Sequence, residues 1–286
     1  MNKIAILADT GCGLTDNYWE KDTYMLPLYV HFSDKSYKDM VEISSNEVYE
    51  KMDKEGLAKT SIPSVGEIKQ MIEKIKSDGY TDILVISLSS GLSGVHNAIC
   101  MAVKEEQDIN IKIVDTKNVW LGTGFFVLYA QDLLKENPQI SIDELYEKVN
   151  NIDNSKLYFY LDTFKYLIAG GRVGKVVGTV GTLLKIMPII ACNDEGIYHT
   201  VSKTRSEDKA IADITDRIKE FVAKNVGKKH YIAIVYKKDE RLLKKIEEIL
   251  KDEIMSAVKY IKYDVVTPAL GVHSGPGALG VGAFCF

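Results

Sequence analysis

The sequence predicts an α/β fold in two lobes, a mostly parallel helix-covered sheet in the N-terminal lobe and a mixed-sheet α/β C-terminal lobe. Three observations carry this. Short apolar runs alternate with amphipathic stretches through the first half, the rhythm of βαβ units. In the second half, Asn193-Asp194-Glu195-Gly196 separates two apolar runs and reads as a hairpin turn. The chain has 286 residues, 46% of them hydrophobic, enough for one large domain or two ordinary ones with sizeable cores.

Residues 3–8 form a strand ending at Asp9, and the apolar stretch 25–32 is extended. Residues 46–55 form a helix opened by a Ser44/Glu47 capping box, in which each side chain accepts from the other's backbone amide. Ser64 and Glu67 repeat the box before a helix that ends near Asp78. Residues 82–88 are a near-continuous apolar strand, followed by a Ser/Gly turn and a helix over 93–106. Strand 111–114 ends at Asp115, a helix runs on to Glu136, and Ser141 with Glu144 caps another. Ligands of parallel sheets sit beyond the carboxyl ends of the strands. Asp9, the turn at 89–94 and Asp115 fall at those ends.

After these come strand 156–161 and a short helix stopping at Gly170-Gly171. A helix over 179–186 is closed by Pro188, and the hairpin strands are 189–192 and 196–201. Helix 206–226, strand 231–236, helix 239–253 and strand 258–263 complete the lobe. The boundary falls at residues 150–155 and divides the chain into 1–153 and 154–286.

Net charge is -4 with both signs spread along the chain, so no basic block suggests nucleic acid or a membrane surface. Cys12, Cys100, Cys192 and Cys285 show neither a CxxC pair nor Cys-His ligand spacing, which argues against a disulfide framework or zinc. Reduced thiols fit a cytoplasmic setting. The N-terminus reads as a strand rather than a signal peptide. The longest apolar stretch, 119–130, is too short to span a bilayer, and stable membrane insertion is not expected.

Two segments are chemically unusual. Ser89-Ser90-Gly91-Leu92-Ser93-Gly94 and the last loop, His273-Ser274-Gly275-Pro276-Gly277-Ala278-Leu279-Gly280, place hydroxyls beside glycines, where backbone can approach a ligand closely. One carries a histidine and neither an acid, which suits a single polar oxygen group better than a metal. The second segment matches G-x-G-x-x-G, but it neither opens a long helix nor is followed by an acidic residue at the required distance. The stretch 170–175 resembles a P-loop only loosely, since Lys175 precedes Val176 rather than Ser or Thr. No cofactor is expected. Asp9, Asp115 and Asp162 lack a metal pattern and read as turn or cap residues.

Ser93 has three readings: a helix cap, the nucleophile of a serine hydrolase with His96 or His273, or an oxyanion acceptor beside helix amides. Thr60-Ser61-Ile62-Pro63-Ser64 reads as a turn, or as hydroxyls facing the same ligand. Arg172 and Arg205 are two of four arginines and suit a carboxylate or phosphate. His31, His96, His199 and His230 are isolated and read as structural.

The chain resembles the DegV family of bacterial fatty-acid-binding proteins. The resemblance rests on an ordered series: Asp9-Thr10-Gly11-Cys12-Gly13-Leu14, Thr60-Ser61-Ile62-Pro63-Ser64, Ser89-Ser90-Gly91-Leu92-Ser93-Gly94, Leu161-Asp162-Thr163 leading to Gly170-Gly171-Arg172-Val173-Gly174, Leu184-Lys185-Ile186-Met187-Pro188, and the last loop. It implies a long-chain fatty acid such as palmitate, held in a tunnel where the lobes meet. The carboxylate set it implies is Thr60, Ser61, Ser93, Gly94 and His273, with Thr60 and Ser93 hydrogen-bonding the acid. It also implies a partner, a separate fatty-acid kinase subunit that phosphorylates the acid for phospholipid synthesis, with no catalytic residue in this chain. Arg205 matches a position linked to kinase docking, and Arg172 the family's glycine-arginine turn. The family often has Gln at Ile62 and Thr-Tyr at Val95-His96, so Ile62 and Val95 are expected to reshape the tunnel wall.

Overall fold

A computed structural model of the chain describes residues 3–33, 35–176 and 186–286. The first half runs β1 (Ile4–Asp9), β2 (Thr23–Leu26), β3 (Tyr29–His31), β4 (Ser36–Lys38), α1 (Ser45–Glu55), β5 (Lys59–Ser61), α2 (Val65–Ser77), β6 (Asp82–Ser87), α3 (Val95–Val103), β7 (Asn110–Asp115), α4 (Leu121–Glu136) and α5 (Ile142–Val149). Strands β2-β1-β6-β7 form one parallel sheet. Strands β1 and β6 are buried along their whole length, as strands covered on both faces must be. Both capping boxes form as read: Ser44 and Ser64 accept from the amides of Glu47 and Glu67, whose carboxylates reach back.

The stretch expected to be one extended run is two strands in different sheets. Pro27 lies between β2 and β3 and has no amide to continue a ladder. Beyond it, β4-β3-β5 form a small antiparallel sheet that the sequence reading lacked.

The second half runs β8 (Ser155–Leu161), α6 (Lys165–Ala169), β9 (Met187–Cys192), β10 (Tyr198–Thr204), α7 (Glu207–Lys224), β11 (His230–Tyr236), α8 (Glu240–Ile249), α9 (Lys251–Ser256), β12 (Lys259–Tyr263), α10 (Pro268–Ser274) and β13 (Ala278–Cys285). The helix expected over 179–186 lies outside the described residues, apart from its last position. The hairpin β9–β10 forms as read. The expected helix 239–253 is two, α8 and α9, parted at Leu250, which stays fully buried through the bend.

The largest correction concerns the last loop. His273 and Ser274 close α10, Gly275 turns the chain at φ +69°, and residues 278–280 open β13. Only 275–277 are connection. Strand β13 is no periphery, since it lies between β8 and β11, antiparallel to both, in the mixed sheet β10-β9-β8-β13-β11-β12.

Alternation puts this sheet between two cores. Leu279, Val281 and Tyr160 face the helices α7 and α8, with Ile211, Ile214 and Ile246. Phe159, Leu161 and Phe284 face α4 and the first-half elements. Glycines at 280 and 282 let the rings of Trp120 and Phe125 approach β13: a Cβ at Gly280 would lie 3.3 Å from Trp120 Cζ3, and one at Gly282 3.0 Å from Phe125 Cε2. Among the described residues no helix is long and apolar enough to cross a membrane.

Candidate functional site

A narrow cavity, partly open to solvent, lies where the two halves meet. Its apolar wall comes from Leu28, Leu88, Leu92, Trp120, Phe159, Leu161, Leu167 and Leu270, among others. Its polar groups are Thr60, Ser93, Arg172, Tyr198, His273 and Ser274. A mostly apolar wall with a few polar groups is the composition of a small-molecule site.

Each polar side chain arrives from a different element. Thr60 is the middle residue of β5, and because strand side chains alternate, its neighbour Ser61 points away. Ser61 Oγ meets His31 Nε2 at 2.7 Å and, with Gly94 and Ile62, lines a separate outer groove. Thr60, Ser93 and His273 therefore line the cavity, whereas Ser61 and Gly94 do not. Ile62 and Val95 are not in its wall either; Ile62 lines the outer groove and Val95 is fully buried. The apolar wall residues are the aromatics and leucines named above, of which only Leu92 and Leu161 stand in the motifs read from the sequence.

His273 Nε2 and Thr60 Oγ1 share a 2.7 Å hydrogen bond. The ring packs against Gly170, where a Cβ would lie 2.0 Å from Nδ1. Nδ1 is buried with no hydrogen-bond partner. Burial, and secondarily the Arg172 charge, push the imidazole down from 6.5 to about 4, so it is neutral near pH 7. Arg172 is held beside it by bonds to the carbonyls of Gly170 (2.6 Å) and Leu92 (3.4 Å). Arg172, read from the sequence as suited to a carboxylate or phosphate, lies in the cavity wall. Arg205 is exposed, beyond the end of β10, and takes no part in the cavity.

Thr60→Val strips the His273 ring of its hydrogen-bond partner. The expected result is a loss of about 1–3 kcal/mol in urea denaturation. An unchanged midpoint would show that the ring is held by packing alone.

Ser93 Oγ accepts from the Val95 amide at 3.2 Å, the first of α3, but the N-cap position itself is Gly94, so Ser93 braces the turn into the helix rather than capping it. Among the described residues no hydrogen bond joins Ser93 to a histidine. His273 is bound to Thr60, and His96 Nδ1 meets Ser87 Oγ at 2.9 Å. A serine nucleophile would have no base, and the hydrolase reading has no support.

Two buried carboxylates position the wall. Asp9 accepts from the amides of Gly11 and Leu88, both at 2.9 Å, and caps the short helical turn Thr10–Cys12. Asp39, which the sequence reading passed over, accepts from the Ala269 amide at 2.9 Å, in the first turn of α10. Leu88 and Ala269 both line the cavity. Asp115 accepts from the Ser90 and Lys117 amides, and Asp162 pairs with Lys237 at 2.8 Å, as turn and surface residues do. Among the described residues no three His, Cys, Asp or Glu side chains are grouped to hold a metal.

These features define an α/β protein with a mostly apolar cavity and a few hydroxyl, imidazole and guanidinium groups in its wall. The chain belongs to the DegV family: the family model, described as "Uncharacterised protein, DegV family", matches residues 3–285. A DegV domain-containing protein of Clostridium acetobutylicum is 33% identical over 287 residues, covering 99% of each chain. Two solved structures share the fold at a TM-score of 0.87: a fatty-acid-binding DegV family protein of Thermus thermophilus (25% identical, 99% of each chain) and the fatty-acid-binding DegV of Bacillus subtilis (27% identical, 100% of each).

Proposed function

We propose that the cavity holds the tail of a long-chain fatty acid, that Thr60 and Ser93 hydrogen-bond its carboxyl group, and that His273 orients Thr60. The observation that carries this reading is the mostly apolar cavity whose wall offers hydroxyls and a neutral imidazole. The fatty-acid-binding relatives support it. The energetics agree. A sixteen-carbon acid buries roughly fifteen carbons, a gross gain on the order of 12 kcal/mol at about 0.8 kcal/mol each. Association and chain ordering take back several kcal/mol. Each neutral hydroxyl contributes only about 1 kcal/mol. The tail therefore supplies affinity and the hydroxyls supply orientation. Arg172, tied to two carbonyls, adds positive potential at the wall.

Presentation of the acid to a separate fatty-acid kinase is the further part of the reading, and it rests on the family resemblance. In it Arg205, exposed and away from the cavity, belongs to the docking surface, and acyl-phosphate chemistry takes place on the partner.

Organic extraction of the purified chain followed by mass spectrometry tests the first part: stoichiometric long-chain fatty acid is expected, and its absence after incubation with palmitate would count against the carrier. Ser93→Ala should weaken palmitate binding less than tenfold, yet lower acyl-phosphate yield with a kinase partner. Arg205→Ala should spare lipid binding and lower the coupled yield; collapse of lipid binding instead would return Arg205 to the cavity.

A further inference from the structure

We propose that Trp120 sets the length of alkyl chain this cavity accepts, its ring forming a rigid wall of the tail site; this rests on the fatty-acid reading above. Trp120 is 3% exposed and lines the cavity. Its backbone stands at φ 53°, ψ −140°, a conformation side-chain-bearing residues rarely adopt. Strain of this kind persists only where the surroundings over-determine it, and it concentrates at ligand sites.

The surroundings do over-determine it. The Trp120 amide donates to the Gly11 carbonyl at 3.0 Å, and its own carbonyl accepts from the Thr123 and Gly124 amides, both at 2.9 Å, at the start of α4. Behind it, Gly13 leaves no spare room: a Cβ there would lie 3.0 Å from Trp120 Cα. The ring is gripped on its other sides. It tilts against Phe159 with centroids 4.8 Å apart, and Phe159 is itself held edge-on by Tyr198 at 5.4 Å. Gly280 supplies the gap the ring occupies.

Thr60, Ser93, His273 and Ser274 come from β5, α10 and the residues before α3, whereas Trp120, the residue that opens α4, and Phe159 of β8 come from elsewhere. Head and tail thus meet different elements, and the tail meets a ring that cannot turn aside. A wall of this stiffness discriminates between chain lengths, because interiors at crystal density do not absorb an extra methylene.

The test offers the full chain a mixture of saturated fatty acids of increasing length and identifies the retained acid by native mass spectrometry. Trp120→Leu should shift the preferred acid about two carbons longer. Gly280→Ala, whose added methyl pushes the ring toward the lumen, should shift it the other way. Unchanged preference in a folded Trp120→Leu chain overturns the proposal. If the parent chain retains no fatty acid at all, the fatty-acid reading itself fails, and the proposal with it. A further measurement does not need either variant to fold. Trp19→Phe leaves Trp120 as the sole tryptophan of the two in the chain. Its fluorescence should be quenched more by an acid brominated at the methyl end than by one brominated beside the carboxyl. Equal quenching by the two bound acids overturns the proposal.

Discussion

Gly196→Ala is expected to lower stability by about 3 kcal/mol or more and to weaken ligand binding at a distance. Gly196 sits in the β9–β10 turn at φ +75°, where a side chain is strained whatever the space. There is also no space: a Cβ would lie 1.8 Å from Ser89 Oγ and 3.1 Å from Lys117 Cα. Ser89 is fully buried, donates to the Gly196 carbonyl at 2.8 Å and accepts from the Gly91 amide at 3.0 Å. The Ser93 amide in turn donates to the Ser89 carbonyl at 3.1 Å. Displacing the turn therefore displaces the loop that carries Leu92 and Ser93 into the cavity. Thermal denaturation should show a midpoint lowered by roughly 6–12 °C for this chain size. A parental midpoint would mean that turn and loop slide past each other freely.

Asp9 should give the stability a pH dependence opposite to that of a salt-bridged carboxylate. Burial raises its carboxyl from 3.8 to about 7, against the two backbone amides that favour the charged form. A carboxyl raised in the folded state binds more protons there than in the unfolded chain. Its burial is therefore least costly below pH 4, and stability falls as pH rises from about 4 to about 7, then levels. A shift of about three units corresponds to roughly 4 kcal/mol across that window. Asp39, raised to about 6 chiefly by burial, acts in the same direction. Asp9→Asn removes the titration while leaving one amide facing an NH2 group. The variant should start below the parent in acid and close the gap as pH rises. Denaturation curves at pH 5 and pH 8 decide it, and a difference independent of pH would place Asp9 in the ionised state throughout.

How much was legible depended on how local the signal was. The capping boxes at Ser44 and Ser64 are written within four residues, so both N-caps were readable, although the first helix begins one residue earlier than read. The buried strand at 82–87 and the hairpin at Asn193–Gly196 were equally local. The small sheet was not, because β4 and β5 are three residues long, polar, and held together only through β3. At the site, Thr60, Ser93 and His273 carried the family's text, and the structure puts all three in one cavity wall. Ser61 carried the same text and faces outward, a distinction only strand phase can make. Asp39 and Trp120 gave no sequence signal. The first acts through an amide 230 positions away, and the second through a backbone angle.

The central place of β13 has a kinetic consequence. Its partners on one side lie at Ser155–Leu161, far back along the chain, so closing that ladder encloses a long loop before any pairing is gained. Until it inserts, β8 and β11 each present an unpaired apolar edge, the kind that templates intermolecular association. Refolding of the second half should accordingly be its slow, concentration-sensitive phase, with the lumen completed only when that strand docks.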